Sequence, residues 1–309
     1  MTILIFGSTG FLGSHLIPKI ASSNLDHVAL SSKDGNLERF ENVRSLLEFY
    51  KPEIVVNLAA YSGGIGANRK YPADFYYRNS LITAHVYEAA AKVGCVRKII
   101  YPIGGCSYPA SATSPINEEQ LWGGFPHEAS AAYSTAKMMG TVAATAYEKQ
   151  YGISSQLLIP GNMYGEFDNF SLEDAHVVPA LIRKFFEASK SAASSVVTWG
   201  SGIAKRDFVY AGDVAEVTLQ LIVSRQIYPI MNISTGTTTS IRELVETISA
   251  VAGFDGEIVW DKDKGDGQLV KIFDTRRMER LGFCCSTAID FGIKRTYDWY
   301  SANWSEARN

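Results

Sequence analysis

The stretch that most restricts what this chain can fold into is its beginning. TILIF (2–6) is a short run of the buried-strand type, GSTGFLG (7–13) follows at once, and an apolar-periodic helix runs on to about Ser22. Gly7, Gly10 and Gly13 fit G-x-x-G-x-x-G. Glycines at that spacing let the backbone turn tightly, approach a pyrophosphate closely and pack the helix against the strand. The helix then presents free N–H groups and its positive dipole end to the phosphates. A tight strand-to-helix turn with no ligand is the alternative. The strand before, the helix after and the N-terminal position favour a nucleotide.

The alternation continues. HVALSS (27–32) reads as a second strand ending in Ser31, Ser32 and Lys33, with Asp34 next. Sites for NAD place an acid at this tip, whereas a 2′-phosphate calls for hydroxyls and a cation, so the tip points to NADP. EIVVNLAA (53–60) is a third strand, ending in small residues that let a dinucleotide lie against it. A glycine-rich loop then leads to a helix at about 74–93, and RKIIYPI (97–103) delivers the loop GGCSYP (104–109). Short apolar strands alternating with helices indicate an α/β protein built on a doubly wound parallel sheet, a Rossmann arrangement with ligands at the carboxyl ends of the strands.

Composition excludes several partners. A net charge of −3 and a pI near 6.0 give no reason to expect nucleic acid or an anionic membrane. Met1 leads straight into a strand, so no signal peptide is expected, and no apolar run approaches the roughly 20 residues of a membrane helix. Cys95, Cys106, Cys284 and Cys285 lack zinc spacing and the histidines do not cluster with them, so no metal is expected. These features together suggest a soluble, cytoplasmic protein.

Tyr133 and Lys137, in HEASAAYSTAKMMG (127–140), stand four residues apart on one helical face. An adjacent ammonium favours the phenolate and would lower the phenol's pKa, fitting it to exchange a proton with a hydroxyl or carbonyl oxygen. A packed tyrosine with a solvated lysine is the plainer reading of the pair alone. After SSQLLIPGNMYG (154–165) the composition changes: a polar loop enters a helix, SKSAASSVVTWGSG (189–202) connects to a short strand, and RDFVYAGDVAEVTLQLI (206–222) brings a helix with Asp213 as its cap. Helices at about 240–252 and 288–301 close the chain. The expected organisation is a cofactor domain over 1–163 with a return segment at about 207–233. Residues 164–206 and 234–309 then form a smaller α/β substrate domain.

With GSTGFLG, NLAA, YSTAK and PGNMYG in this order, the chain resembles the extended short-chain dehydrogenase/reductases. More narrowly it resembles their GDP-L-fucose synthase branch, through NLAAYSGGIGANRKYPADFYYRN (57–79), GGCSYP (104–109), FDNFSLEDAHVVPALIRKFFEA (167–188), WGSGIAKRDFVY (199–210) and DGQLVK (266–271). The resemblance implies an NADP(H)-dependent epimerase/reductase of a nucleotide-linked, GDP-type 4-keto sugar. It implies a homodimer through the helices at about 74–93 and 131–150, whose Val86, Tyr87, Met138, Met139, Val142 and Tyr147 leave apolar residues on more than one side. It also implies that Tyr133 and Lys137 reduce the ketone while Cys106 and His176 transfer the protons of epimerisation. Chemistry agrees, because protons on the carbons beside a ketone are acidic, and a thiol and an imidazole can move them. Taken singly, Cys106 reads as a small packed hydrophobe and His176 as a hydrogen bonder at a helix start.

Cofactor contacts implied in the same way are Gly7, Gly10, Phe11, Leu12, Gly13, Ser31, Ser32, Lys33, Leu58, Ala59, Ala60, Pro160, Asn162, Met163 and His176, besides Tyr133 and Lys137. Substrate contacts are Asn162, Val177, Lys184, Trp199, Arg206, Asp266 and Lys271, with Arg206 suited to a diphosphate. One position departs from the pattern. Gly104 stands where the branch keeps a Ser or Thr that bonds the reacting oxygen. An epimerase-only or reductase-only relative acting on another NDP-hexose or a heptose therefore remains open, as does a catalytically weak NADP-binding subunit.

Overall fold

A computed structural model describes residues 1–224 and 228–307. The first half alternates as β1 (Ile3–Phe6), α1 (Phe11–Ala21), β2 (His27–Leu30), α2 (Phe40–Tyr50), β3 (Ile54–Asn57), α3 (Ile65–Lys70), α4 (Pro72–Val93), β4 (Lys98–Pro102), α5 (Ala131–Tyr151) and β5 (Ser154–Pro160). Next come β6 (Asn162–Tyr164), α6 (Val177–Lys190), β7 (Ser195–Trp199), β8 (Lys205–Arg206), β9 (Phe208–Tyr210), α7 (Ala211–Val223) and β10 (Ile230–Ile233). The chain finishes with β11 (Thr239–Ser240), α8 (Ile241–Ala252), β12 (Glu257–Asp261), β13 (Val270–Lys271), α9 (Arg276–Arg280) and α10 (Ile289–Asn303).

The central sheet has the order β10-β5-β4-β3-β1-β2, and every pair in it is parallel. Chain direction across the sheet reverses between β1 and β3. The crevice for a ligand in such a sheet opens at that switch point, beyond the carboxyl ends of the strands. Alternation along β1 sorts its side chains to the two faces. Ile3 and Ile5 join the core under α1 and α7, while Leu4 and Phe6 join the core under α2, α4 and α5. All four are buried, which is why the strand reads as a continuous apolar run. At about 1.5–3 kcal/mol for each such side chain, this one strand fixes the turn that follows it.

β10 returns to the edge of the sheet beside β5, and α9 packs back on that sheet through Met278, while α6, α8 and α10 build a core of their own. Phe185, Ile182, Leu244, Ile248, Phe254 and Tyr300 form a separate core beneath α6, α8 and α10, faced by the parallel pair β7–β12. β8 lies between β11 and β13 in a small sheet of its own.

Three local expectations change. The glycine-rich stretch after β3 contains a helix of its own, α3, and α4 begins earlier, at Pro72, where a fixed φ and a missing N–H do no harm. Asp213 does not cap α7. The helix starts at Tyr210 without a side-chain cap, and the Asp213 carboxylate instead accepts from Thr287 N at 2.8 Å and Thr287 Oγ1 at 2.7 Å. Val86, Tyr87 and Met138 are buried in the chain's own core, so the outward apolar residues of α4 and α5 are Tyr76, Tyr77, Met139, Val142 and Tyr151. No helix among the described residues is long and apolar enough to cross a membrane.

Candidate active site

The turn between β1 and α1 has the shape its glycines demand. Gly7 adopts φ +77°, and a β-carbon there would stand 2.7 Å from Ala59 N, so this turn and Leu58–Ala59 at the end of β3 touch backbone to backbone. At Gly13 a β-carbon would meet Gly7 O at 2.2 Å. α1 begins at Gly10 with no side-chain cap. Its first N–H groups, those of Phe11, Leu12 and Gly13, thus face the crevice as an anion site. A pyrophosphate fits this cradle.

At the tip of β2 the carboxylate of Asp34 folds back, accepting from Ser31 N at 2.7 Å and Ser31 Oγ at 2.8 Å. Those bonds hold its pKa below the usual carboxylate value. Ser31 is thereby occupied, while Ser32 and Lys33 stay exposed and open to a phosphate.

Tyr133 and Lys137 sit on the face of α5 that covers the carboxyl end of β4. The helix comes close because residue 140 is glycine, where a β-carbon would stand 2.7 Å from the Tyr101 ring. The Lys137 ammonium lies 3.8 Å from the centre of that ring, a cation–π contact, and the side chain is buried. Burial pushes its pKa down to about 7, against an opposing pull from the Cys106 sulfur. The expectation that Lys137 lowers the tyrosine's pKa does not hold. Tyr133 is half-buried, and burial, followed by the nearby Cys106 charge, raises its pKa instead. The phenol is a neutral donor.

Gly104, Cys106 and Tyr133 converge. A β-carbon on Gly104 would stand 3.2 Å from Cys106 Sγ and 3.6 Å from Tyr133 Cε1. Ser107, the other hydroxyl in this loop, is buried and donates to Ser134 O at 3.4 Å, away from that meeting point. Lys271 reaches in from β13 and donates to Gly105 O at 2.9 Å.

His176 is the residue before α6, and its ring takes no part in capping that helix. It is exposed at the surface, and desolvation by the protein packed around it lowers its pKa. The turn that carries it is held by the glycine-rich stretch: Gly64 N donates to Asp174 O at 2.6 Å, and a β-carbon on Gly64 would strike Ala175 O at the same distance. That stretch reaches the tyrosine through Phe75, which packs against Gly63 and whose ring centroid is 6.0 Å from that of Tyr133.

Other expected contacts are divided between reaching into the cleft and building it. Trp199 is exposed, with Lys184 Nζ at 5.6 Å and Lys264 Nζ at 5.7 Å from its ring centroid. Among the described residues, Arg206 donates to the main-chain carbonyls of Lys205, Asp266 and Gln268. Val177 is exposed at the start of α6, beside His176. By contrast, both carboxylate oxygens of Asp266 accept from Ser201, at 2.7 Å each, so this residue shapes the 200–202 turn. The Asn162 amide donates to Asp207 O at 2.9 Å, which ties Pro160–Met163 to β8 and β9.

Sequence reading missed the buried Asp207. Its carboxylate takes Thr235 N at 3.1 Å, Thr235 Oγ1 at 2.7 Å, Gly236 N at 3.1 Å and Phe273 N at 3.3 Å, joining three distant segments beneath the cleft. An acid set directly before the apolar run Phe208–Tyr210 was the available signal. Lys264 and Ser201 had none.

Residues 3–234 match the NAD dependent epimerase/dehydratase family. The GDP-L-fucose synthase of Sinorhizobium fredii is 36% identical over 97% of this chain and 96% of that protein. A GDP-L-fucose synthetase from Naegleria fowleri bound to NADP superimposes with a TM-score of 0.93 at 29% identity, over 100% of this chain and 95% of that one. A GDP-6-OMe-4-keto-L-xylo-heptose reductase from Campylobacter jejuni superimposes with a TM-score of 0.88 at 27% identity, over 98% of each.

Proposed function

The chain belongs to the NAD dependent epimerase/dehydratase family, and on that premise we propose that it is an NADP(H)-dependent epimerase/reductase of a GDP-linked 4-keto sugar. The observation that carries the reading is the convergence of Cys106 Sγ and the Tyr133 ring on Gly104, with Lys137 buried behind them. A thiol beside a phenol at the carboxyl end of a nucleotide-binding sheet suits chemistry on both sides of a carbonyl.

Cys106, as its thiolate, takes a proton from a carbon next to the ketone and becomes a thiol, and the negative charge that develops on the ketone oxygen is met by the Tyr133 hydroxyl. His176, in its protonated form, returns a proton to the opposite face, and the desolvation that lowers its pKa makes that proton easier to give up. Bound NADPH supplies the hydride that reduces the ketone. Tyr133 arrives as a neutral phenol and gives its proton to the resulting alkoxide. Lys137 holds or releases a proton near neutral pH within the same pocket. The α1 N-terminus receives the cofactor's pyrophosphate, Ser32 and Lys33 its 2′-phosphate, and Leu58–Ala60 the strand-side face.

Arg206 and Lys271 receive the substrate diphosphate, with Trp199, Lys184 and Val177 around the nucleoside. The 1–163 and 207–233 segments form the cofactor domain, and the rest forms the substrate domain. Met139, Val142, Tyr76 and Tyr77 support a homodimer through α4 and α5. Cys106 must remain a thiol, which suits the reducing cytoplasm. Gly104 favours a second reading at the level of the sugar: with no hydroxyl from the protein, a different hexose or a heptose supplies its own. The test is to supply GDP-linked 4-keto-6-deoxymannose and its heptose counterpart with NADPH and follow loss of reduced-nicotinamide absorbance. Oxidation with neither would end this reading.

A further inference from the structure

The loop carrying Cys106 is held by two consecutive carbonyls. Cys106 O accepts from Ser134 Oγ on α5 at 3.0 Å, and Gly105 O accepts from Lys271 Nζ on β13 at 2.9 Å. Phe273, two residues beyond Lys271, fills the space against Gly105, where a β-carbon would stand 2.7 Å from its ring. Lys271 also pairs in register with Arg206 on β8. Among the described residues neither cation has a carboxylate within ion-pair distance. An ammonium has three N–H donors, and Gly105 takes one of them. Two neighbouring cations in a partly buried place repel each other until an anion sits between them.

We propose that Lys271 is a positioning residue that ties the diphosphate of the substrate to the loop carrying Cys106, so that filling the diphosphate site sets the thiol in place for proton abstraction. The inference rests on the substrate reading above. Binding energy from the remote diphosphate is thereby converted into alignment at the reacting carbon. The groups facing the sulfur are Tyr133 and Lys137 from α5 and Lys271 from β13, with Arg206 behind Lys271. Of these, Lys271 alone stands in register with Arg206, so it is the link by which diphosphate binding reaches the thiol.

The experiment is alkylation of Cys106 by iodoacetamide, followed on its own peptide by mass spectrometry, with and without GDP. GDP should change the wild-type rate several-fold. Lys271→Met, verified as folded by thermal unfolding and assayed at GDP concentrations that saturate it through Arg206, should show no response, and Lys271→Arg should recover part of it. With the full nucleotide sugar, Lys271→Met should lower kcat for solvent-proton exchange by about tenfold or more, beyond any rise in KM. A GDP response that persists in Lys271→Met, or a rise in KM alone, overturns the inference and leaves the substrate reading intact. A wild-type protein that binds no GDP overturns the substrate reading itself.

Discussion

Replacing Gly104 with serine asks how much of the reductive chemistry depends on a donor the protein lacks. The backbone at Gly104 has φ −69° and ψ 153°, ordinary extended values that a serine adopts without strain. Its β-carbon would be 3.6 Å from Tyr133 Cε1, in normal contact, and 3.2 Å from Cys106 Sγ, so the sulfur must yield by a few tenths of an ångström. The hydroxyl would then lie beside the phenol and point at the oxygen being reduced. A hydrogen bond to a charged oxygen is worth about 1.5–3 kcal/mol. At 1.36 kcal/mol per decade, that is about 10- to 100-fold in turnover. The assay is NADPH oxidation with saturating GDP-4-keto-6-deoxymannose, in parallel with solvent-proton exchange as a check that Cys106 still works. A folded Gly104→Ser protein whose reduction is unchanged or slower, with exchange intact, would refute the reasoning. The glycine would then be making room for part of the sugar.

Lys33→Ala should weaken NADPH more than NADH, since only the former has a 2′-phosphate to lose; equal effects on the two dissociation constants would place that phosphate elsewhere. Gly13→Ala, whose new carbon would stand 2.2 Å from Gly7 O, should cost about 1–3 kcal/mol or more in unfolding and abolish NADPH binding. Because burial depresses Lys137 to about 7, the folded protein binds fewer protons than the unfolded one above that pH. Stability of the ligand-free enzyme should therefore rise with pH from about 7 toward 9, by up to about 1.4 kcal/mol per unit. Lys137→Met should lose that slope in pH-dependent denaturant melts.

The parallel sheet was legible because β1 and β3 are apolar runs buried on both faces and the turns after the strands carry glycine signals. Gly7 and Gly13 sit where close backbone contacts allow only glycine, whereas a β-carbon at Gly10 would meet Gly7 O at 3.2 Å. Tyr133 and Lys137 were legible as one helical face, but the protonation state of the phenol was not. Spacing gives proximity, whereas burial decides which charge survives. Contacts between distant segments were hidden for a different reason. Asp207 to Thr235 and Phe273, Asp266 to Ser201, and Lys271 to Gly105 join residues brought together only by the packing of the second core on the first. Neither a period of two nor one of 3.6 residues carries that information. Val86, Tyr87 and Met138 show the same limit in reverse: apolar character gives burial, and only the fold says against which partner.

The central claim is that one pocket divides two reactions between Cys106 with His176 and Tyr133 with Lys137. It is tested most directly by turnover of GDP-4-keto-6-deoxymannose in deuterated water with NADPH, locating deuterium in the product by NMR. The wild type should carry deuterium on the carbons flanking the reduced one. Cys106→Ser should bind NADPH normally but lose that label, whereas Tyr133→Phe should stop NADPH oxidation and retain part of the exchange into recovered substrate. A Cys106→Ser protein that still labels both carbons would contradict the account.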